Sequence, residues 1–233
     1  MAKNDVVQMP KKEKSADVNS LGDFLIKNKV VLIIVACVIL AGLIGFTVFE
    51  KVSVTATSKG LEQIDKAEYV LLKGSSILSE EEISSRYDDA LKAVEPYVSK
   101  GGIVGARALM LKAEIYFRKS NFEGARDSYV AAAKKVKGSY LVPVCYFNAA
   151  SSCEELRDNS KALEYYELAA NDKEFPDPTR ALFAVGRIKE ALLDYVGAKE
   201  AYEKITSKNN SSDPWSNLAK SRILSMQIDG KVE

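Results

Sequence analysis

The sequence contains no histidine, three cysteines and one tryptophan in 233 residues. Without histidine, the chain has no imidazole base and no Ser-His or Cys-His nucleophilic pair, and it lacks the commonest metal ligand. It also lacks a Gly-x-Ser-x-Gly motif, a phosphate-binding glycine loop and a Cys-x-x-Cys pair. We therefore predict a protein that is not an enzyme and that has no catalytic residue, no metal and no cofactor. A serine-lysine or paired-carboxylate enzyme without a recognisable motif remains the alternative.

A strong charge of either sign is also missing. Removing the six lysines and four acids of residues 1–29 from totals of 33 basic and 32 acidic residues leaves 27 and 28. This balance gives no electrostatic reason to bind nucleic acid. The odd number of cysteines does not form a disulfide framework. Cys145 and Cys153 lie eight residues apart on one predicted helix, roughly 12 Å along its axis, which is too far for a disulfide.

The longest uncharged run comprises 20 residues, from Val30 to Phe49. A helix of this length spans roughly 30 Å, the thickness of a bilayer core. A cleaved signal would have a shorter apolar run, and Val54-Thr55-Ala56 is a weak cleavage site set back from it. A lipoprotein would turn polar after Cys37, whereas twelve more uncharged residues follow. We predict one uncleaved transmembrane helix over 30–49.

The lysines are unevenly distributed around this apolar run. Residues 1–29 carry six lysines and residues 50–69 carry three. Positive charge stays on the cytoplasmic side, so we expect a cytoplasmic tail over 1–29 and the remaining chain outside the cytoplasm. The tail before Leu21 is polar and lysine-rich, and we expect it to be disordered.

An internal repeat occupies the second half of the chain. Four alanines follow one another at intervals of 35, 37 and 36 residues, and a tyrosine follows each of the last three after four residues. Another small residue precedes each of these three alanines by twelve residues. The alanines are Ala90, Ala125, Ala162 and Ala198; the tyrosines are Tyr129, Tyr166 and Tyr202; and the preceding small residues are Ala113, Ala150 and Gly186. A period in the mid-thirties is typical of a helical repeat array.

The pattern resembles the tetratricopeptide repeat, in which two antiparallel helices cross closely at small residues. The best match comprises Leu109, Ala113, Tyr116, Ala125 and Tyr129. Later units depart where Cys153 and Lys189 replace the first-helix tyrosine. The resemblance implies an all-α fold with a tetratricopeptide-like array of helical hairpins. The apolar run adds an N-terminal transmembrane helix before this array. A last partial copy, with Trp215, Leu218 and Ala219, predicts a C-terminal capping helix after it. A generic helical bundle and other repeats of similar length are the alternatives.

Helix punctuation supports the array. Ser79 with Glu82 and Ser120 with Glu123 predict capping boxes at two helix starts. Asp177-Pro178 and Asp213-Pro214 predict an N-cap followed by a first-turn proline. We divide the chain into a tail (1–29), a transmembrane helix (30–49), a rising helix and degenerate opening unit (50–102), repeats (103–212), and a capping helix with its tail (213–233). The rising helix ends near Gly74 and forms the opening unit together with a helix over Ser79–Tyr97. The capping helix extends from Asp213 to about Ile228.

In tetratricopeptide arrays the first helix of each unit lines a concave groove, so the resemblance implies which residues face a partner. These residues are Arg107, Met110, Glu114, Phe117, Arg118, Val144, Phe147, Ser151, Glu154, Glu155, Arg180, Phe183, Arg187 and Glu190. Met110, Phe147 and Phe183 would form an apolar stripe flanked by charge, which suits extended or partly unfolded polypeptide. Packing of the two phenylalanines against the neighbouring unit is the alternative. Some family members bind a C-terminal carboxylate with lysine and asparagine, but Met110 and Glu114 occupy those positions here.

The order of segments resembles the single-pass ancillary subunits of the Sec translocon. The shared features are a charged tail ending at Asp23–Lys29, an immediate anchor, a rising helix and repeats. The resemblance implies a bacterial inner-membrane protein with a cytoplasmic N-terminus and a periplasmic repeat domain. Its partners would be the translocon, a periplasmic chaperone or an unfolded client, with no nucleic acid and no small-molecule substrate.

Two other functions fit the same pattern. One is a scaffold for a different envelope machine, serving outer-membrane biogenesis, division or secretion. The other is an oligomeric structural protein whose anchor or rising helix self-associates. Gly42 and Gly45 do not have the four-residue spacing that favours dimers of membrane helices.

Overall fold

The computed structural model describes residues 16–73, 78–207 and 213–233. Residues 1–15 of the predicted tail and the predicted end of the rising helix at Gly74 lie outside them. These ranges contain ten α-helices and no strand. The helices are α1 (Ala16–Lys27), α2 (Lys29–Leu72), α3 (Glu80–Val98), α4 (Gly102–Arg118), α5 (Phe122–Lys135), α6 (Leu141–Glu155), α7 (Asn159–Ala170), α8 (Pro178–Ala191), α9 (Tyr195–Thr206) and α10 (Pro214–Ile228).

The first of two compact units ends at Thr55 and contains the predicted anchor. Its α1 begins at Ala16, so the expectation of disorder before Leu21 is wrong for residues 16–20. α2 contains a segment that is long and apolar enough to cross a membrane, the one such segment in the described ranges. The predicted anchor and rising helix are one helix of 44 residues, because no proline interrupts the chain after Phe49.

The second unit begins at Ala56 and is the helical array. The hairpins α4–α5, α6–α7 and α8–α9 are its three complete units, and consecutive helices pack on one another. The C-terminal part of α2 and α3 form the degenerate opening unit, which contributes Ile64, Leu71 and Val94 to a shared core with α4. α10 closes the other end and packs against α9 and α8. The all-α array with a C-terminal capping helix is therefore confirmed.

Most of the predicted helix starts are observed. Ser79 and Glu82 form the complete capping box, and Asp177 and Asp213 cap α8 and α10 ahead of their first-turn prolines. The second predicted capping box is wrong. Ser120 adopts a positive φ of 57°, and the side chain of Asn121 caps α5 by accepting a hydrogen bond from the Gly124 N–H.

The same tight turn joins the helices of every complete unit. Ser120, Arg157 and Leu193 have φ of 57°, 59° and 63°. The residue after each one caps the second helix with its side chain: Asn121, Asp158 and Asp194. Left-handed backbone at a residue other than glycine costs roughly 1–2 kcal/mol. The packing of each hairpin must therefore offset this cost three times.

The small residues of the repeat mark close crossings between the two helices of each unit. Ala113, Ala150, Ala125, Ala162 and Ala198 are fully buried, and the tyrosines of the repeat are at most 7% exposed. In the last unit the small residue of the first helix is glycine, and it faces the tyrosine of the repeat directly. A methyl group added to Gly186 would lie 2.5 Å from the Tyr202 ring, well inside van der Waals contact.

We predict that Gly186→Ala destabilises the array by about 1–3 kcal/mol, because the added methyl group forces the helices apart. Helix propensity alone favours alanine over glycine by about 1 kcal/mol. The two effects have opposite signs, so thermal unfolding followed by circular dichroism distinguishes them. A variant as stable as the wild type would show that the crossing has room to relax.

Candidate protein-binding cleft

The first helices of successive units lie side by side and enclose a cleft of about 400 Å³, which we call the main cleft. Its walls come from α4, α6 and α8, together with one residue each from α7 and α10. The lining residues are Phe117, Phe147, Ser151, Glu154, Glu155, Tyr166, Arg180, Phe183, Ala184, Arg187 and Trp215. Eight residues of the predicted groove therefore meet in one place: Phe117, Phe147, Ser151, Glu154, Glu155, Arg180, Phe183 and Arg187.

The two phenylalanines of the predicted stripe have different environments. Phe147 is 8% exposed, and its ring centroid lies 5.0 Å from that of Tyr166 and 5.4 Å from that of Phe175. Of the two interpretations left open by the sequence, core packing therefore holds for Phe147. Phe183 is half-buried, and its ring lies 5.3 Å from that of Trp215 and 5.4 Å from that of Tyr202.

An ion-pair network crosses the cleft between the second and third units. The Arg187 guanidinium donates to both carboxylate oxygens of Glu154, each at 2.6 Å. The Tyr166 hydroxyl donates to Glu154 at 2.5 Å and lies 3.0 Å from Ser151 Oγ. Hydrogen bonding to Glu154 raises the pKa of Arg187. These groups satisfy one another, so the network fixes the position of α8 against α6.

The same network recurs 36 residues later. The Tyr202 hydroxyl donates to Glu190 at 2.7 Å, and the Arg222 guanidinium of α10 donates to both oxygens of Glu190. Burial alone would raise the pKa of Glu190, but the hydrogen bonds from Arg222 and Tyr202 outweigh it and lower this pKa. The predicted groove residue Glu190 thus joins the capping helix to the last unit.

The network is interrupted in the first unit. Phe117 occupies the position equivalent to Glu154, and Ser151 occupies the position equivalent to Arg187. An aromatic side chain therefore lines the main cleft where later units have a carboxylate. The first and second units therefore meet at an apolar surface where the second and third units are joined by an ion pair.

Arg180 and Glu155 are exposed charged groups of the main cleft that lie outside the ion-pair network. The Arg180 guanidinium lies 4.8 Å from the centre of the Phe147 ring, and this side chain makes no ion pair with any described residue. Stacking on an aromatic face orients a guanidinium without neutralising its charge. Arg180 is therefore positioned to pair with an acidic group of a ligand.

The remaining predicted residues lie away from the main cleft. Arg107, Met110 and Glu114 line a second pocket of about 200 Å³. Arg107 is paired there with Asp65 and Glu68 of α2, at 2.8 Å and 2.9 Å. Arg118 pairs with Glu114 at 2.7 Å and, like Glu190, lines neither pocket. Val144 is half-buried against the core of the second unit.

Three residues of the main cleft were missed by the sequence analysis: Tyr166, Ala184 and Trp215. Tyr166 comes from a second helix, and Trp215 comes from the capping helix. Tyr166 belongs to the repeat pattern, but the rule that first helices line the groove leaves out second helices and the capping helix. The recurrence of Glu154 and Tyr166 as Glu190 and Tyr202 at 36 residues could have revealed the network.

The two thiols of the array offer no nucleophile. Cys145 and Cys153 are fully buried and free. Burial raises the pKa of Cys145 to about 12 and that of Cys153 to about 11, so both are protonated at neutral pH. The described residues contain no group of three or more metal-ligating side chains.

Comparison with known proteins gives one informative relative. The chain is 35% identical over 158 residues to a TPR repeat-containing protein of Treponema pallidum (strain Nichols). The match covers 67% of this chain and 64% of the relative, slightly less than two thirds of its length. No protein-family model and no solved structure matches the chain. Together with the observed hairpins, the similarity defines a tetratricopeptide-like helical protein.

We predict that Glu190 contributes to stability above about pH 4.3, the ordinary pKa of glutamate, and that this contribution is lost as the pH falls through the lowered folded-state pKa. Glu190→Gln keeps the acceptor for Tyr202 but removes the charge. The wild type should therefore be more stable than the variant at pH 7, and the difference should shrink to zero in strong acid. Urea unfolding between pH 3 and 7 measures this difference. A gap independent of pH would mean that the ion pair adds nothing.

Proposed function

We propose that this protein is a membrane-anchored scaffold that binds extended polypeptide in its main cleft. The observation that carries the proposal is the combination of half-buried aromatic side chains with an oriented, unpaired arginine. Phe117, Phe183 and Trp215 offer apolar surface, and Arg180 offers a charge. Repeat arrays commonly bind proteins on such concave surfaces. Similarity to a TPR repeat-containing protein supports the same class of function.

The cleft residues fall into two groups. Phe147, Glu154 and Arg187 are committed to packing and to the ion-pair network. Phe117, Phe183, Trp215, Arg180 and Glu155 are left to contact a ligand. Three aromatic side chains in one cleft favour a segment with large apolar residues, because aromatic anchors dominate the energy of most interfaces.

The candidate span in α2 and the lysine asymmetry support a proposal for the location of the scaffold. We propose a single-pass protein of the bacterial inner membrane, with a cytoplasmic N-terminus and a periplasmic array. Its resemblance to ancillary translocon subunits supports a role at the Sec translocon, linking periplasmic chaperones or emerging envelope proteins to the channel. Anchoring would raise the local concentration of the cleft near the channel. A scaffold for another envelope machine would share this architecture and differ in the partner bound.

Photo-crosslinking in living cells tests both the cleft and its location. We expect a benzoylphenylalanine probe replacing Phe183 to capture the translocon, a periplasmic chaperone or a translocating envelope protein. The matched control is a probe at Leu168, which is 45% exposed on α7 and lies outside the cleft. Equal capture from both positions would argue against the cleft. Exclusive capture of cytoplasmic proteins would argue against a periplasmic array, and capture of another envelope machine would replace the translocon assignment.

A further inference from the structure

A second groove lies at the start of the array, between the C-terminal part of α2 and α3. Its volume is about 240 Å³. α2 contributes Gln63, Lys66, Ala67 and Val70, and α3 contributes Arg86, Asp89, Ala90 and Ala93. Both sets have the spacing i, i+3, i+4, i+7, which places each set on one face of its helix. Two helix faces of this kind, lying side by side, form a groove in which another helix can pack.

The groove is the outer face of the opening unit, which α2 and α3 form. The opposite faces of the same two helices are buried in the core with α4, through Ile64 and Val94. An array end requires a polar outer face to remain soluble by itself. This face has four polar or charged side chains, but apolar residues lie between them: Ala67 and Ala90 are buried at its floor, and Ala93 and Val70 are exposed, Val70 to 48%. No described residue covers it.

The side chains of the groove favour close approach of another helix. Three of the lining residues are alanines, whose short side chains let the backbone of another helix approach closely. The Arg86 guanidinium is held to the wall because it donates to the carbonyl oxygens of Val70 and Lys73. Lys66 and Asp89 remain on the rim with opposite charges. The pair that Asp89 makes with Lys92 is 3.9 Å long and highly exposed, so it barely restrains Asp89.

We infer that this groove is the contact between two copies of the chain in the same membrane. A two-fold axis would place Lys66 of each copy against Asp89 of the other, so the rim charges are self-complementary. Copies anchored by the same helix share one orientation in the membrane and are concentrated in its plane. A second copy is therefore the occupant that both the charge pattern and the anchor favour.

The candidate span has an independent surface of the same kind. Cys37, Ala41 and Gly45 follow one another at four-residue spacing, which favours close packing of membrane helices. The three-residue spacing of Gly42 and Gly45 does not show this pattern, because Cys37 and Ala41 are its other members. Cys37 is exposed, and a methyl group added to Gly45 would meet no atom within 4 Å.

The main cleft is lined by other helices, so the dimer would display two clefts and bind repetitive partners with higher avidity.

Sedimentation equilibrium of the full chain in density-matched detergent tests the inference. We expect a wild-type dimer whose dissociation constant rises at least about tenfold in Ala93→Arg, corresponding to about 1.4 kcal/mol. Ala191→Arg is the matched control, since Ala191 is exposed at the end of α8 and lies outside the groove. Circular dichroism should show equal helix content in all three proteins.

The charge pattern supplies a second test that does not depend on the fold of Ala93→Arg. Lys66→Asp and Asp89→Lys should each weaken the dimer, and the double variant should restore it. A monomeric wild type, or a dimer unchanged by all of these substitutions, would overturn the inference. Loss of the dimer in Gly45→Leu with full dimerisation of the groove variants would place the contact in the span and would also overturn it.

Discussion

The array depends on the close crossing of the two helices in each hairpin. In the last unit, Gly186 faces the ring of Tyr202 with no room for a methyl group. The crossing holds the tyrosine against the first helix, where its hydroxyl reaches Glu190. Glu190 in turn accepts a hydrogen bond from Arg222 of the next helix. The small residue Gly186 therefore determines the position of Tyr202. Tyr202 in turn orients the Glu190 carboxylate, which joins the last unit to the next helix.

The ion pairs between units cost desolvation energy, because the Glu190 side chain is 10% exposed and the Glu154 side chain is 20% exposed. Half-buried ion pairs of this kind add little net stability, but removing one partner is expensive because the other charge is left unpaired. We interpret their role as fixing the register between units. The register then determines which side chains remain free in the main cleft.

Much of the fold follows from the sequence because its signals are local. Close crossings require small residues at fixed spacing, and Asp177-Pro178 and Asp213-Pro214 define helix starts within a few residues. The capping of α5 was assigned incorrectly because both Ser120 and Asn121 can cap a helix, and the tight turn decides between them. The continuity of α2 was missed because a change from apolar to polar residues was taken as a boundary, although it does not end a helix.

The candidate site could be predicted only in outline. The resemblance located the first helices that line the cleft, but burial distinguishes its two phenylalanines. Phe147 is covered by Phe175, a residue of the loop between α7 and α8 that the repeat pattern does not describe. Glu154 and Arg187 are likewise similar to free groove charges in the sequence, and only the three-dimensional contact between units shows that they neutralise one another.

The most direct test of polypeptide binding uses Trp215, the single tryptophan of the chain, which lines the main cleft. Full-length protein in detergent would be titrated with an unstructured synthetic peptide containing alternating phenylalanine and aspartate. We expect a saturable change in tryptophan fluorescence, with affinity reduced at least about tenfold by Arg180→Gln through loss of a charge pair. Arg157→Gln, an exposed position outside the cleft, should bind like the wild type. No saturable change, or equal binding by all three proteins, would contradict the account.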